Sequence, residues 1–148
     1  MPSTHLSLYY HLVFSTKNRY PFIKDIWEGR LHSYLGGIIQ NLDGISVAIG
    51  GTHDHVHIGV RLKSTHCLAR VVQDVKAQSS GWIHRTIGSG MFSWQDGYGA
   101  FTVGSSQVDA MKQYILGQKE HHSKRSFQEE YLELLRESGI EFDERFVL

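Results

Sequence analysis

Ile45-Ser46-Val47-Ala48-Ile49-Gly50-Gly51, then Thr52-His53-Asp54-His55-Val56-His57-Ile58-Gly59-Val60-Arg61-Leu62, is the stretch that decides the fold. Residues 45–51 and 55–62 are short apolar runs that read as two strands joined by a tight connection, the earlier turn falling at Gly44. In the second run histidine alternates with apolar residues. A strand sends every second side chain to one face, so His55 and His57 project side by side. His53 shares their parity but stands where the strand begins. Asp54 points the other way, as a turn residue or as a group behind the histidines.

Working outward, Leu6 to Ser15 reads as a strand, with Leu6, Leu8, Tyr10, Leu12 and Phe14 on one face and Ser7, Tyr9, His11 and Val13 on the other. A loop from Thr16 to Lys24 carries Lys17, Arg19, Tyr20 and Pro21. Asp25, with Glu28 three residues on, is a capping pattern for a helix to about Asn41. A long helix starts at Ser64 or Thr65 and reaches about Ile87, with Leu68, Val71, Val72 and Val75 on its apolar stripe. Gly88-Ser89-Gly90 breaks it, and 92–103 holds at least one more strand. Ser106 to Asp109 opens a helix carrying Tyr114. Ser126 to Glu129 opens a last one, which Gly139 ends.

The order is β-α-β-β-α-β followed by two helices. It defines an α+β fold, a ferredoxin-like (RRM-like) split-βαβ sandwich: one antiparallel sheet with helices on one face, plus C-terminal helices. The expected organisation is one domain over 1–148, with a core over 1–104 and the tyrosine helix and last helix over 105–148. First and third strands are neighbours in this topology, which brings His11 toward His55 and His57.

A chain of 148 residues, 41% hydrophobic and 11% aromatic, suits a folded globule with a real core. No apolar run approaches membrane-spanning length, and the first residues do not read as a secretion signal. Cys67 is the single cysteine, so no internal disulfide forms, as expected of a cytoplasmic protein. The net charge of zero hides an asymmetry. Residues 1–125 hold 13 Lys+Arg against 8 Asp+Glu, and residues 126–148 hold 2 against 7. An acidic tail segment follows a mildly basic body able to approach phosphates.

Two strand histidines leave a divalent ion with open positions, and a carboxamide oxygen from Gln118 can fill one. Mixed nitrogen and oxygen ligands with open positions suit a working Mg²⁺ or Mn²⁺ rather than a closed structural zinc site. Tyr114 lies one helical turn before Gln118 on the same face. Its phenol, with an ordinary pKa of about 10, becomes a nucleophile only beside a cation or base and an activated phosphate. Other residues have two readings each. His121 and His122 are rival ligands or exposed helix-end histidines. Trp94, Tyr98 and Phe101 stack on bases or pack in the core. Lys76 and Ser79 touch phosphate or form a solvated face.

These residues resemble a known family. His55-Val56-His57 resembles the HUH motif, and Tyr114 with Gln118 resembles the catalytic-helix signature of single-tyrosine HUH transposases. These serve the smallest bacterial insertion sequences and are related to REP-associated tyrosine transposases. The likeness extends through Tyr10-His11-Leu12-Val13-Phe14-Ser15-Thr16-Lys17, Trp94-Gln95-Asp96-Gly97-Tyr98-Gly99-Ala100-Phe101, His121-His122 and Phe127-Gln128-Glu129-Glu130-Tyr131. It implies His55, His57 and Gln118 as metal ligands and Tyr114 as nucleophile. It also implies hairpin-bearing single-stranded DNA as substrate and a homodimer, with active sites often shared between chains. His11, Lys17, Arg19, His53, Lys76, Ser79, Trp94 and His121 are candidates for supporting or DNA-binding roles. Two rivals remain: a non-enzymatic RRM-like nucleic-acid-binding module, and a two-histidine phosphoesterase built on His5-Leu6-Ser7 and His84-Arg85-Thr86.

Overall fold

The computed structural model describes residues 3–143 and 147. Strands β1 (Tyr9–Ser15), β2 (Ile45–Gly51), β3 (His55–Arg61) and β4 (Gly99–Val103) form one antiparallel sheet in the order β2-β3-β1-β4. This is the split-βαβ order, with β1 and β3 at the centre. Val13 pairs with His57 and Ser15 with His55 in the β1–β3 register, so the two histidines share a face with His11.

Helices α1 (Asp25–Asn41) and α2 (Leu68–Trp82) cover the opposite face. Trp27, Leu31, Leu35, Ile38 and Ile39 of α1 and Val71, Val72 and Val75 of α2 are buried against Leu12, Phe14, Val56, Ile58 and Val60. The helix expected from Ser64 or Thr65 starts only at Leu68, and its last five residues, Ile83–Ile87, widen into a π turn closed by left-handed Gly88. Asp25 does not cap α1: it is the first helical residue, and its carboxylate meets the His53 ring 2.8 Å away.

The tyrosine segment departs from one continuous helix. A 3₁₀ turn precedes α3 (Val108–Leu116), the helix stops at Gly117, and a short α4 (Gln118–His122) restarts. After it, α5 (Phe127–Glu137) begins at a true cap, with Ser126 Oγ accepting the Glu129 N–H at 3.2 Å. These helices cover the histidine face. Phe127, Tyr131 and Leu135 pack on Val13 and Phe101, while Met111 and Ile115 pack on Ala48. Gly50 permits this approach, because a Cβ there would collide with the Ile115 carbonyl.

Candidate metal centre and tyrosine site

Alternation along β3 delivers His55 and His57 to one point, and the C-terminal helices close over it. Both rings are 0% exposed, Gln118 is 1% exposed and Glu130 is 0% exposed. Five side-chain atoms form an open ring, nitrogen and oxygen alternating from His55 Nε2 at one end to His57 Nε2 at the other. His55 Nε2 lies 3.1 Å from Gln118 Oε1, which lies 3.0 Å from His122 Nε2. His122 Nε2 lies 3.2 Å from Glu130 Oε1, which lies 2.9 Å from His57 Nε2. The ligand atoms of His55, His57, His122 and Glu130 all fall within 4.8 Å of one another.

Groups behind the ring set its orientation. Asp54 Oδ1 stands 2.8 Å from His55 Nδ1, which directs that nitrogen's proton to the carboxylate and leaves Nε2 for the ring. Thr52 Oγ1 donates to the same carboxylate at 3.1 Å. His11 Nε2 is 2.7 Å from His57 Nδ1. Burial, helped by the neighbouring His57, lowers the His11 pKa to about 3. Burial also lowers that of His57 to about 4, against the pull of its Glu130 hydrogen bond. His57 is therefore neutral near pH 7, as a metal ligand must be.

Tyr114, half-buried on α3, donates its hydroxyl to Glu130 Oε2, which also accepts from Gln118 Nε2 at 3.2 Å. Burial and the Glu130 carboxylate hold its pKa above the ordinary phenol value. Burial pushes the Glu130 carboxyl up, but hydrogen bonds from His122, His57 and Tyr114 outweigh it and hold the carboxyl far below the usual range. His121 packs against Tyr114 with ring centroids 4.7 Å apart. His121 also lines a recess of about 540 Å³ with Gln113, Glu120, Lys124 and Arg125.

The structure thus gathers His55, His57, Gln118, Tyr114 and His11. Of the rival pair, His122 enters the ring and His121 stays outside it, beside Tyr114. The remaining candidates lie away from the centre. His53 is exposed and engaged with Asp25, because it precedes the regular strand. Trp94 and Phe101 are buried, and Trp94 donates to buried Ser79 at 2.9 Å, so Trp94 and Ser79 are core residues. Lys76 donates to the carbonyls of Gln95, Asp96 and Gly97 and lies over Phe14, which ties the segment before β4 to α2. Lys17 and Arg19 stay exposed on a turn where Asn18 and Arg19 have left-handed φ values of 57° and 55°. His84 bonds the Phe92 carbonyl at 2.8 Å and takes no part in a histidine pair.

Glu130 is the residue that the sequence reading missed. One signal pointed to it: it falls in the stripe Phe127, Tyr131, Leu135 of an amphipathic helix, where a carboxylate is out of place unless it has partners.

A ferredoxin-like sheet bearing paired strand histidines, with a helical tyrosine beside them, defines the class of single-tyrosine transposases. The chain belongs to the family of IS200-like transposases, whose model matches residues 4–118. Among solved structures it is similar to a protein assigned as a transposase from Deinococcus radiodurans R1. That match has 22% identity and a TM-score of 0.62, over 78% of this chain and 94% of the other. It is also similar to a REP-associated tyrosine transposase bound to a REP hairpin. Here the identity is 12% and the TM-score 0.56, over 78% of this chain and 70% of the other. No curated protein matches it. No helix among the described residues is long and apolar enough to cross a membrane.

Proposed function

We propose that this transposase cuts and rejoins single-stranded DNA at hairpin-bearing ends, with Tyr114 as nucleophile and a divalent ion, Mg²⁺ or Mn²⁺, held by His55, His57 and Gln118. The observation that carries the proposal is the convergence of Tyr114, Gln118 and both histidines on one buried point. The donor set fits such an ion. Neighbouring ring atoms lie 2.9 to 3.2 Å apart, close to the ~3.0 Å edge of an octahedral shell with bonds of about 2.1 Å.

The bound ion would polarise a phosphate oxygen as a Lewis acid. Asp54 and His11 fix the imidazoles behind it. Glu130 aims the Tyr114 hydroxyl and stands ready to receive its proton. The phenolic oxygen forms a bond to phosphorus, and the bond to the 3′ oxygen breaks. The phenolic proton, relayed by way of Glu130, ends on the departing 3′ oxygen, so the products are a 5′-phosphotyrosine and a free 3′-hydroxyl. Reversal by a 3′-hydroxyl rejoins strands with no external energy source. Tyr114 lines a recess with His11, Phe101, Gln107 and Met111, from which a phosphate would reach the phenol.

The hairpin bound to the REP-associated relative supports hairpin DNA as the partner. A homodimer belongs to the same proposal, but in this chain Tyr114 meets histidines of its own protomer. The RRM-like alternative needs an exposed sheet for base stacking, and here α3 and α5 cover that face.

The test incubates hairpin-bearing single-stranded DNA with Mg²⁺ or Mn²⁺. The parent chain should yield a denaturant-resistant protein–DNA adduct. Tyr114→Phe should retain DNA binding and yield none. Equal cleavage by the two proteins overturns the nucleophile assignment.

A further inference from the structure

Glu130 lies outside the residues that the family model matches, which end at Gln118. It is nonetheless the group on which the site converges. Its Oε1 faces His57 and His122, and its Oε2 faces Tyr114 and Gln118. The carboxylate is 0% exposed, and its partners are imidazoles, a carboxamide and a phenol. No Lys or Arg is among the ion-pair partners of Glu130 found within the described residues. These neutral dipoles keep the carboxylate ionised but leave its negative charge without a cation, and a divalent ion at the same point supplies the opposite charge.

Position supports the same conclusion. Glu130 Oε1 is a corner of the five-atom ring, between two imidazole nitrogens at distances that suit one coordination shell. The segment that brings it is well anchored. Ser126 caps α5, the Phe127 ring stacks on His55 at 4.1 Å, and Tyr131 and Leu135 pack on the sheet.

We propose that Glu130 is a protein ligand of the divalent ion, bonding it through Oε1 while Oε2 keeps the Tyr114 hydroxyl beside it. The inference rests on the metal-site reading above and adds to it. The C-terminal helix then contributes part of the metal centre, and one carboxylate spans ion and nucleophile. A site with this anionic ligand binds a divalent cation more tightly than two imidazoles and a carboxamide alone, because the carboxylate supplies the charge that the neutral ligands lack.

The test uses the full chain, stripped of metal by chelation, with Mn²⁺ alone as the probe. Calorimetry measures Mn²⁺ affinity, and thermal melting is followed with and without Mn²⁺. Glu130→Gln keeps the size of the side chain and one of its two acceptor oxygens while removing the charge. It should weaken Mn²⁺ binding about tenfold or more and lose most of the Mn²⁺-induced rise in melting temperature. A purely structural Glu130 would instead lower the metal-free melting temperature and leave the Mn²⁺-induced rise intact. That result overturns the inference.

His57→Ala separates the two levels. If it abolishes Mn²⁺ binding while Glu130→Gln binds as the parent does, the Glu130 inference fails and the metal site stands. If His57→Ala also binds as the parent does, the metal site itself is wrong. A crystal of the parent soaked in Mn²⁺ needs no variant. An anomalous peak within about 2.5 Å of Glu130 Oε1 is expected; a peak on the histidines but beyond bonding reach of that oxygen overturns the inference.

Discussion

Asp54 faces away from the histidines in a regular alternation, yet its carboxylate reaches His55 Nδ1, because the backbone is still turning at the start of β3. It holds the tautomer that leaves Nε2 available. Asp54→Ala should therefore lower Mn²⁺ affinity by about 10–100-fold, as loss of such a backing group does elsewhere; calorimetry on the chelated protein checks this, and an unchanged affinity would reduce Asp54 to a turn residue. At this scale the sequence revealed what depends on local periodicity. Parity along β3 identifies His55 and His57, and one helical turn joins Tyr114 to Gln118. His53 shares that parity but stands before the strand, where it meets Asp25. His122 stands level with His121 as a rival ligand in the sequence, and Glu130 is marked only by its place on an apolar helix stripe. Which of them reaches the centre depends on how α4 and α5 fold back over the sheet, a return that no local pattern encodes.

Elements were legible wherever apolar spacing and punctuation agreed. The bounds of α1 and β2 emerge as expected, and Ser126 caps α5 as its pattern implies. Capping letters alone are weaker evidence. Asp25 finds a histidine instead of a backbone N–H, and the pattern around Ser106 gives a 3₁₀ turn before α3. Close helix–sheet contact was not legible, because Gly50 reads only as the end of a strand. There the Ile115 carbonyl sits in the space a side chain needs. Gly50→Ala must push α3 outward, with a cost of about 1–3 kcal/mol from overpacking. Tyr114 rides on the same helix, so cleavage should fall further than DNA binding does. Urea unfolding paired with adduct formation checks both parts. Ser126→Ala should cost about 1 kcal/mol through loss of the cap, read from the same unfolding curve.

Across the whole molecule, burying a polar centre under the C-terminal helices ties stability to pH. In the metal-free folded chain His11 and His57 stay neutral until the pH falls to about 3 and about 4, whereas unfolded histidine takes up its proton near 6.5. Between those limits the unfolded state holds more protons, so acidification favours it. The loss is up to about 1.4 kcal/mol per pH unit for each histidine. Above pH 6.5 both states are neutral and the term vanishes. Glu130 acts in the same direction lower down: its folded carboxyl stays ionised below the ordinary 4.5, so the stability it contributes is lost as the unfolded carboxyl protonates. The urea midpoint of the chelated protein should therefore be nearly level above pH 6.5 and fall steeply from there toward pH 4. His32, whose pKa burial also lowers, adds to the same slope; His11→Gln removes one of these histidine protons, so the slope over that interval should be shallower than in the parent. A parent midpoint that stays level between pH 6.5 and 4.5 would mean that these imidazoles protonate in place, and that the buried centre opens to water far more readily than its packing under α5 implies.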